Sequence, residues 1–267
     1  MPELPEVETI ARGLDPLVRG RVIAAADVLW QRTVDARGAP LDTLRGDVIE
    51  KVGRIGKFVA IGLRSGRTLA IHLRMTGRLT VVKEGEASPY ERLAIVFEGG
   101  DRLSFADARK FGRVRLLERA TGEALGVGID ALAEALDADA FASIVRKRRT
   151  PVKLLLLDQK RIAGIGNIYA NEALFRARIR PCRPAGRLTA RERAELLKAV
   201  RRVLLRAIDA RGSSVDDYVD AEGLPGDFQK RLNVYGRAGR PCRRCRTPIK
   251  RVVLGQRGTF YCPACQR

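Results

Sequence analysis

Apolar residues near the start of the chain recur at helical spacing. Val7, Ile10, Leu14, Leu17 and Val18 lie three or four positions apart, the stripe expected of a helix packed on a core. Pro16 kinks or ends that helix and Gly20 stops it. From Arg21 to about Leu117 the period shortens. Residues 22–30, 58–63, 68–73, 79–82, 93–97 and 114–117 form short apolar or alternating runs, with Ser65-Gly66 and Gly99-Gly100-Asp101 as turns. Strands at such short intervals predict a β-sandwich or a flattened barrel, with the first helix beside it.

Residues 118–150 contain Gly122, Gly126 and Gly128, two short helical stretches and the run Arg146-Lys147-Arg148-Arg149. They read as a linker whose charges face solvent, with a secondary role near a phosphate backbone. Helical periodicity returns at Pro151. Segments 152–162 and 167–179 flank the turn Ala163-Gly164-Ile165-Gly166-Asn167, and two helices joined in this way can aim backbone N–H groups at a phosphate or can simply form a junction. Thr189 and Glu192 make a capping box. Leu196, Leu197, Val200, Val203, Leu204, Ala207 and Ile208 then line one face of a helix of about five turns. Residues 211–238 are loop-like, and a stretch of that length is a functional lid or is disordered. Residues 249–254 and 259–261 are strands joined by Gly255-Gln256-Arg257-Gly258, which puts Arg257 at a hairpin tip.

Composition narrows the class. The 267 residues accommodate two domains, and 51 Lys and Arg against 31 Asp and Glu leave a net charge of +20. Such a surplus favours a polyanionic partner, nucleic acid above all, although only ten of the basic residues are Lys and an arginine excess can reflect codon bias. No apolar run approaches the ~20 residues of a membrane span, and Met1 is not followed by a charged and then apolar leader. A soluble intracellular protein is the expectation.

The cysteines carry the most specific local signal. Cys242-x2-Cys245-x16-Cys262-x2-Cys265 has the spacing of two tight turns whose thiolates converge on one Zn²⁺, and four thiolates leave no open position for catalysis. The zinc is therefore expected to be structural, against a reading as two redox pairs. Cys182 stands apart as a small packed or partly exposed thiol.

The opening Met1-Pro2-Glu3-Leu4-Pro5-Glu6-Val7 has two readings. Pro and Glu suit a first helical turn, where Pro has no N–H to lose and Glu complements the helix dipole. Alternatively, removal of Met1 leaves Pro2 with a secondary amine, a nucleophile able to form Schiff bases, with Glu3 and Glu6 within one turn of it.

Five motifs in order, Pro2 to Glu8, His72-Leu73-Arg74-Met75-Thr76-Gly77, Asp107-Ala108-Arg109-Lys110-Phe111-Gly112, Gly164-Ile165-Gly166-Asn167-Ile168-Tyr169 and the four-cysteine finger, make the chain resemble the formamidopyrimidine-DNA glycosylase and endonuclease VIII family end to end. Leu4 favours the purine-lesion branch, since the other branch typically carries Gly there. The resemblance implies an α+β protein: residues 1–118 an N-terminal catalytic β-sandwich with flanking helices, 119–150 a linker with short helices, 151–238 a helix-two-turn-helix domain with a lesion-capping loop, and 239–267 a zinc-finger β-hairpin.

It also implies a bifunctional glycosylase and AP lyase for double-stranded DNA carrying oxidised bases or abasic sites, monomeric, with one structural Zn²⁺ and a bacterial cytoplasmic, nucleoid-associated location. By resemblance Pro2 is the nucleophile, Glu3 the general acid and base, and Glu6 a supporting group. Met75 and Phe111 are wedges into the base stack, Arg109 bonds the orphaned base, and Lys57, Lys153, Asn167 and Arg257 hold phosphates. The loop of about residues 213–235 closes over the everted base. The alternatives are the same chemistry on oxidised pyrimidines, a non-catalytic zinc-ribbon binder of damaged DNA, and a ribosomal or transcription-associated zinc protein.

Overall fold

The computed structural model describes residues 1–86, 88–214, 218–219 and 223–267. Two compact units emerge, one of residues 1–125 and 210–227, the other of residues 126–209 and 228–267.

In the first unit, helix α1 (Leu4–Val18) carries the expected stripe, with Val7, Ile10, Leu14 and Val18 buried. It runs through Pro16 to Val18, and Gly20 adopts φ +81° beyond its end. Eight strands follow: β1 (Ile23–Val28), β2 (Ile49–Ile55), β3 (Phe58–Leu63), β4 (Thr68–His72), β5 (Gly77–Val82), β6 (Glu91–Phe97), β7 (Arg102–Asp107) and β8 (Arg113–Leu117). They form two antiparallel sheets, ordered β1-β6-β7-β5 and β2-β3-β4-β8. Ile61 and Ile71 from one sheet, Ile95 and Phe105 from the other, and the α1 stripe share a single apolar cluster, so the unit is a sandwich and not a barrel.

Polar ties fix α1 on the outer strand of its sheet. Glu8 pairs with Arg54 at 2.8 Å, and Asp15 Oδ1 accepts from the Val52 N–H at 2.7 Å. Strands β2 and β7 were not anticipated from sequence. In β2 the residues Glu50, Lys51, Gly53 and Arg54 break the apolar run because that strand is half-exposed. In β7, Arg102, Ser104 and Asp107 hide an alternation in which Leu103 and Phe105 point to the core. Helix α2 (Gly122–Leu125) closes this part of the chain.

The second unit begins with the short strand β9 (Ile129–Asp130) and helix α3 (Ala138–Val145), capped by Asp137, whose side chain accepts from the Ala140 N–H at 2.8 Å. Helix α4 (Val152–Leu157) is shorter than the predicted 152–162, because the chain turns at Asp158 and residues 162–163 form β10 (Ile162–Ala163), parallel to β9. Gln159 holds this turn. Its amide donates to the Leu157 and Ile165 carbonyls at 2.9 and 2.8 Å and accepts from the Gly164 N–H at 3.0 Å. Helix α5 (Asn167–Arg176) follows, then α6 (Ala190–Asp209), whose Thr189–Glu192 capping box forms with bonds of 2.8 and 3.2 Å.

The chain ends in a hairpin of β11 (Lys250–Leu254) and β12 (Arg257–Tyr261). Its two connecting residues, Gly255 and Gln256, have φ of +52° and +60°, a turn whose twist matches that of the strands. Among the described residues no helix is long and apolar enough to cross a membrane.

Candidate functional site: a buried acidic N-terminus, a wedge and a zinc hairpin

The reactive-centre candidates sit at the start of α1. Pro2, Glu3 and Glu6 are buried while Met1 is exposed. Glu3 caps the helix in a reciprocal box, in which Glu6 Oε2 accepts from the Glu3 N–H at 2.8 Å. The second Glu6 oxygen accepts from the Ser213 N–H at 2.8 Å, tying the first turn to the segment expected to act as a lid. A Cβ at Gly212, already at φ +81°, would stand 2.9 Å from the Glu6 side chain, so only glycine fits there. Part of the lid segment, residues 215–217 and 220–222, lies outside the described residues. Further along, the Gly226 N–H donates to Ser214 Oγ at 2.9 Å.

Lys57 follows β2 at the turn into β3 and is only 6% exposed, unlike the solvated lysine its residue type suggests. The chain's one histidine, His72, ends β4 and stands out in the sequence only as part of a motif. Its Nδ1 accepts from the Arg74 N–H at 3.1 Å, and its ring packs edge-on against Phe58. Burial, with the charges of Arg74 and Lys57 adding to it, pushes its pKa down to about 3. His72 is a neutral ring that organises the cationic corner.

The three wedge candidates meet on the surface. Met75 and Phe111 are 44% and 50% exposed, which rules out the core-packing reading. The Arg109 guanidinium lies 5.1 Å from the Phe111 ring centre and donates to Met75 Sδ at 3.2 Å. One carboxylate holds the two loops that carry them. Asp107, 1% exposed, accepts from Thr76 Oγ1 and the Arg109 N–H with one oxygen and from the Gly112 N–H at 2.7 Å with the other. Gly112 cannot be replaced without disturbing the core, since a Cβ would meet the Phe105 ring at 2.3 Å.

In the second unit the structure joins the remaining candidates. Lys153 on α4 is fully buried, and its ammonium donates to the Gly258 carbonyl at 2.8 Å and to Thr259 Oγ1 at 2.7 Å. Asn167, the first residue of α5, donates to the same carbonyl at 3.2 Å. Leu154 packs under Gly255. The hairpin turn is thereby seated on the two-helix motif, and Arg257 is left exposed beside it.

Two consecutive residues of α5, invisible to motif reading, complete the attachment. Asn171 accepts from the Phe260 N–H at 2.8 Å. The buried Glu172 carboxylate accepts from the backbone N–H groups of Asn233, Val234 and Tyr235 at 2.9 to 3.0 Å. Their only sequence signal was polar character on a helix face that otherwise reads as buried.

The sulfurs of Cys242, Cys245, Cys262 and Cys265 lie within 4.8 Å of one another, and Cys182 stays outside the group, exposed. Cys245 Sγ is 3.4 Å from both Cys262 Sγ and Cys265 Sγ. A tetrahedral Zn²⁺ with Zn–S bonds of ~2.3 Å needs sulfurs ~3.8 Å apart, so small adjustments suffice. Backbone N–H groups of Arg244 and Cys265 donate to Cys242 and Cys262 sulfurs at 3.4 Å. Hydrogen bonds from Thr247 hold the Cys245 thiol down at about 6, while burial and the neighbouring sulfurs push Cys265 up to about 12. A dication is the partner that lets all four ionise together. The four cysteines form a structural zinc site.

A β-sandwich with buried carboxylates at its first helix, an exposed Met-Arg-Phe cluster and a zinc hairpin mounted on a two-helix motif are the architecture of a DNA-directed protein. Comparison with known proteins shows the family. Residues 1–114 match the formamidopyrimidine-DNA glycosylase N-terminal domain, residues 127–219 the H2TH domain of the same enzymes, and residues 239–267 the zinc finger found in FPG and IleRS.

The formamidopyrimidine-DNA glycosylase of Chloroflexus aggregans is 46% identical over 271 residues, covering 100% of this chain and 98% of that protein. The crystal structure of the MutM (Fpg) protein of Thermus thermophilus is similar with a TM-score of 0.87 at 42% identity, covering 99% of this chain and 98% of the other. Lactococcus lactis Fpg, solved in complex with abasic-site DNA, gives a TM-score of 0.88 at 32% identity, covering 99% of each chain. The chain belongs to the formamidopyrimidine-DNA glycosylase family, the bifunctional glycosylase and AP lyase enzymes of base-excision repair.

Proposed function

We propose that this enzyme removes oxidised purines, 8-oxoguanine and formamidopyrimidines, from duplex DNA through a Schiff base on Pro2. The observation that carries the proposal is the pair of buried carboxylates, Glu3 and Glu6, locked by a capping box beside Pro2. In an ordinary first turn such carboxylates face water.

A base within a duplex is out of reach, so the lesion is turned out of the stack at a cost of a few kcal/mol. Met75 and Phe111 fill the vacated step as apolar wedges, and Arg109 bonds the orphaned partner base. Lys57, Lys153, Asn167 and Arg257 serve the flanking phosphates. Arg257 acts through its exposed guanidinium, and Lys153 acts through the hairpin carbonyl that it shares with Asn167.

With Met1 removed, the Pro2 nitrogen attacks C1′. The C1′–N bond to the base breaks, and the base leaves with a proton. Glu3 protonates the sugar ring oxygen, and the ring opens to an iminium on Pro2. Because a secondary amine gives a permanently charged iminium, the C2′ protons are acidified. Loss of one of them expels the 3′ phosphate by β-elimination, and loss of the C4′ proton of the resulting conjugated iminium expels the 5′ phosphate by δ-elimination. Glu6 positions Glu3 and the first turn. Zinc holds the finger through Cys242, Cys245, Cys262 and Cys265 and takes no part in these steps. The same reading places the enzyme, as a monomer, on the nucleoid in a bacterial cytoplasm.

Parallel excision assays test the substrate range. Faster release from 8-oxoguanine opposite cytosine than from thymine glycol supports it. The reverse order assigns the enzyme to oxidised pyrimidines.

A further inference from the structure

Helix α6 carries a second periodic stripe that repair chemistry does not use. Arg191, Glu195, Lys198, Arg202 and Arg206 follow one another at spacings of three and four on the face away from Leu196, Val200 and Leu204. In the fold the first four members of this stripe wall a cleft of about 720 Å³, together with Phe175 and Arg176 at the end of α5, Arg178 just beyond it and Arg244 of the first zinc knuckle. Asn167 begins α5 and Arg176 ends it. The cleft therefore lies about 13 Å along the helix axis from the residue proposed to serve a phosphate.

Among the described residues the charge in this cleft is not neutralised. Of its two acids, Glu192 is held by Arg183 through two bonds of 2.7 Å, and Glu195 stands 3.6 Å from Lys198. The side chains of Arg176, Arg178, Arg191, Arg202 and Arg244 make no hydrogen bond or ion pair among the described residues. Burial, followed by the charges of Arg202 and Arg206, lowers the Arg176 pKa, as expected where cations crowd without a counter-charge. A smaller recess of about 360 Å³, lined by Arg178, Arg244, Ala264, Cys265 and Arg267, shares two of these arginines and extends the basic lining along the finger.

Arginines scattered by codon bias would stand apart in solvent. These converge on a concave site that also presents the apolar groups of Phe175, Ala177 and Ala199. A duplex offers phosphates on a convex cylinder and no apolar side chain to match. An extended peptide offers both carboxylates for bidentate guanidinium contacts and an apolar side chain for the Phe175 wall.

We propose that this cleft docks an acidic peptide segment of a partner protein, bearing several Asp or Glu residues and at least one large apolar side chain. The test uses the full-length, zinc-loaded enzyme and a fluorescein-labelled peptide of six aspartates followed by Leu and Phe, read by anisotropy. Saturable binding, at least tenfold weaker in the double variant R176E/R202E, with 8-oxoguanine excision unchanged, supports the proposal. So does several-fold weaker binding of an all-aspartate peptide without the Leu-Phe end.

If R176E/R202E loses excision through misfolding, the pair R191S/R244S provides the reading, with the same tenfold loss expected. Absence of saturable binding, or equal binding by wild type and a folded variant, overturns the proposal. Loss of duplex affinity in the folded variant, with displacement of the peptide by abasic-site duplex, also overturns it and assigns the cleft to nucleic acid.

Discussion

Asp107→Asn is the most informative single change outside the first turn. The carboxylate accepts three hydrogen bonds, and each oxygen serves a different loop contact: Thr76 and the Arg109 N–H on one, the Gly112 N–H on the other. An asparagine can keep its oxygen toward Thr76 and Arg109, but its NH₂ then opposes the Gly112 N–H, donor against donor, at a buried position. A hydrogen bond to a charged acceptor contributes about 1.5–3 kcal/mol, and an unsatisfied buried N–H costs about 1–3 kcal/mol.

Allowing for relaxation, a loss of about 2 kcal/mol is expected, which lowers Tm by about 4–8 °C for a unit of this size. The functional effect should be selective, because the two loops carry Met75, Arg109 and Phe111. Excision of 8-oxoguanine from a duplex should fall by one to two orders of magnitude. Strand cleavage at a preformed abasic site in single-stranded DNA, where nothing is everted, should stay within a few-fold of wild type. Wild-type Tm with wild-type duplex excision would show that Asp107 does not hold the wedge. Equal loss on both substrates would show that the wedge is not what the substitution disturbs.

Other outcomes follow from the same structure. Cys245→Ser should release zinc and unfold the finger, since structural zinc supplies on the order of 10 kcal/mol of local folding free energy; metal content and duplex affinity would both fall, and a zinc-loaded, intact variant would contradict the ligand set. His72 has a folded pKa of about 3 against 6.5 for the free group. The unfolded chain therefore binds its proton first, and stability falls as pH drops from about 6.5 toward 3, by about 1.4 kcal/mol per unit. His72→Asn, which keeps an acceptor for the Arg74 N–H, should remove the part of that slope lying above the carboxylate range; denaturant unfolding at pH 7 and pH 5 measures it.

Much of this was legible in the chain. The stripes of α1 and α6, the Thr189–Glu192 box and the cysteine spacing are local patterns with one physical solution each. Strands β2 and β7 were hidden because a half-exposed strand carrying Glu50, Lys51 and Gly53, or Arg102 and Ser104, lacks the apolar run that marks its neighbours. The overlong prediction for α4 failed at Gln159, whose amide closes a turn that helix propensity cannot anticipate.

In the candidate site, residue type misled where burial decides. Lys57 and Lys153 look like surface charges and are buried, whereas Met75 and Phe111 look like core and are exposed. Asn171 and Glu172 bind backbone groups far away in sequence, so nothing near them in the chain announces their task.

The central claim is that the secondary amine of Pro2, freed of Met1, is the nucleophile. The direct measurement is borohydride reduction of the full-length enzyme with an 8-oxoguanine duplex, followed by mass analysis of the N-terminal peptide. The account predicts a chain beginning at Pro2 and a reduced sugar adduct on its nitrogen, much weaker in Pro2→Gly at comparable duplex binding because the secondary amine is lost. An adduct on a lysine, or none on a chain that has lost Met1 and excises the base, would contradict it.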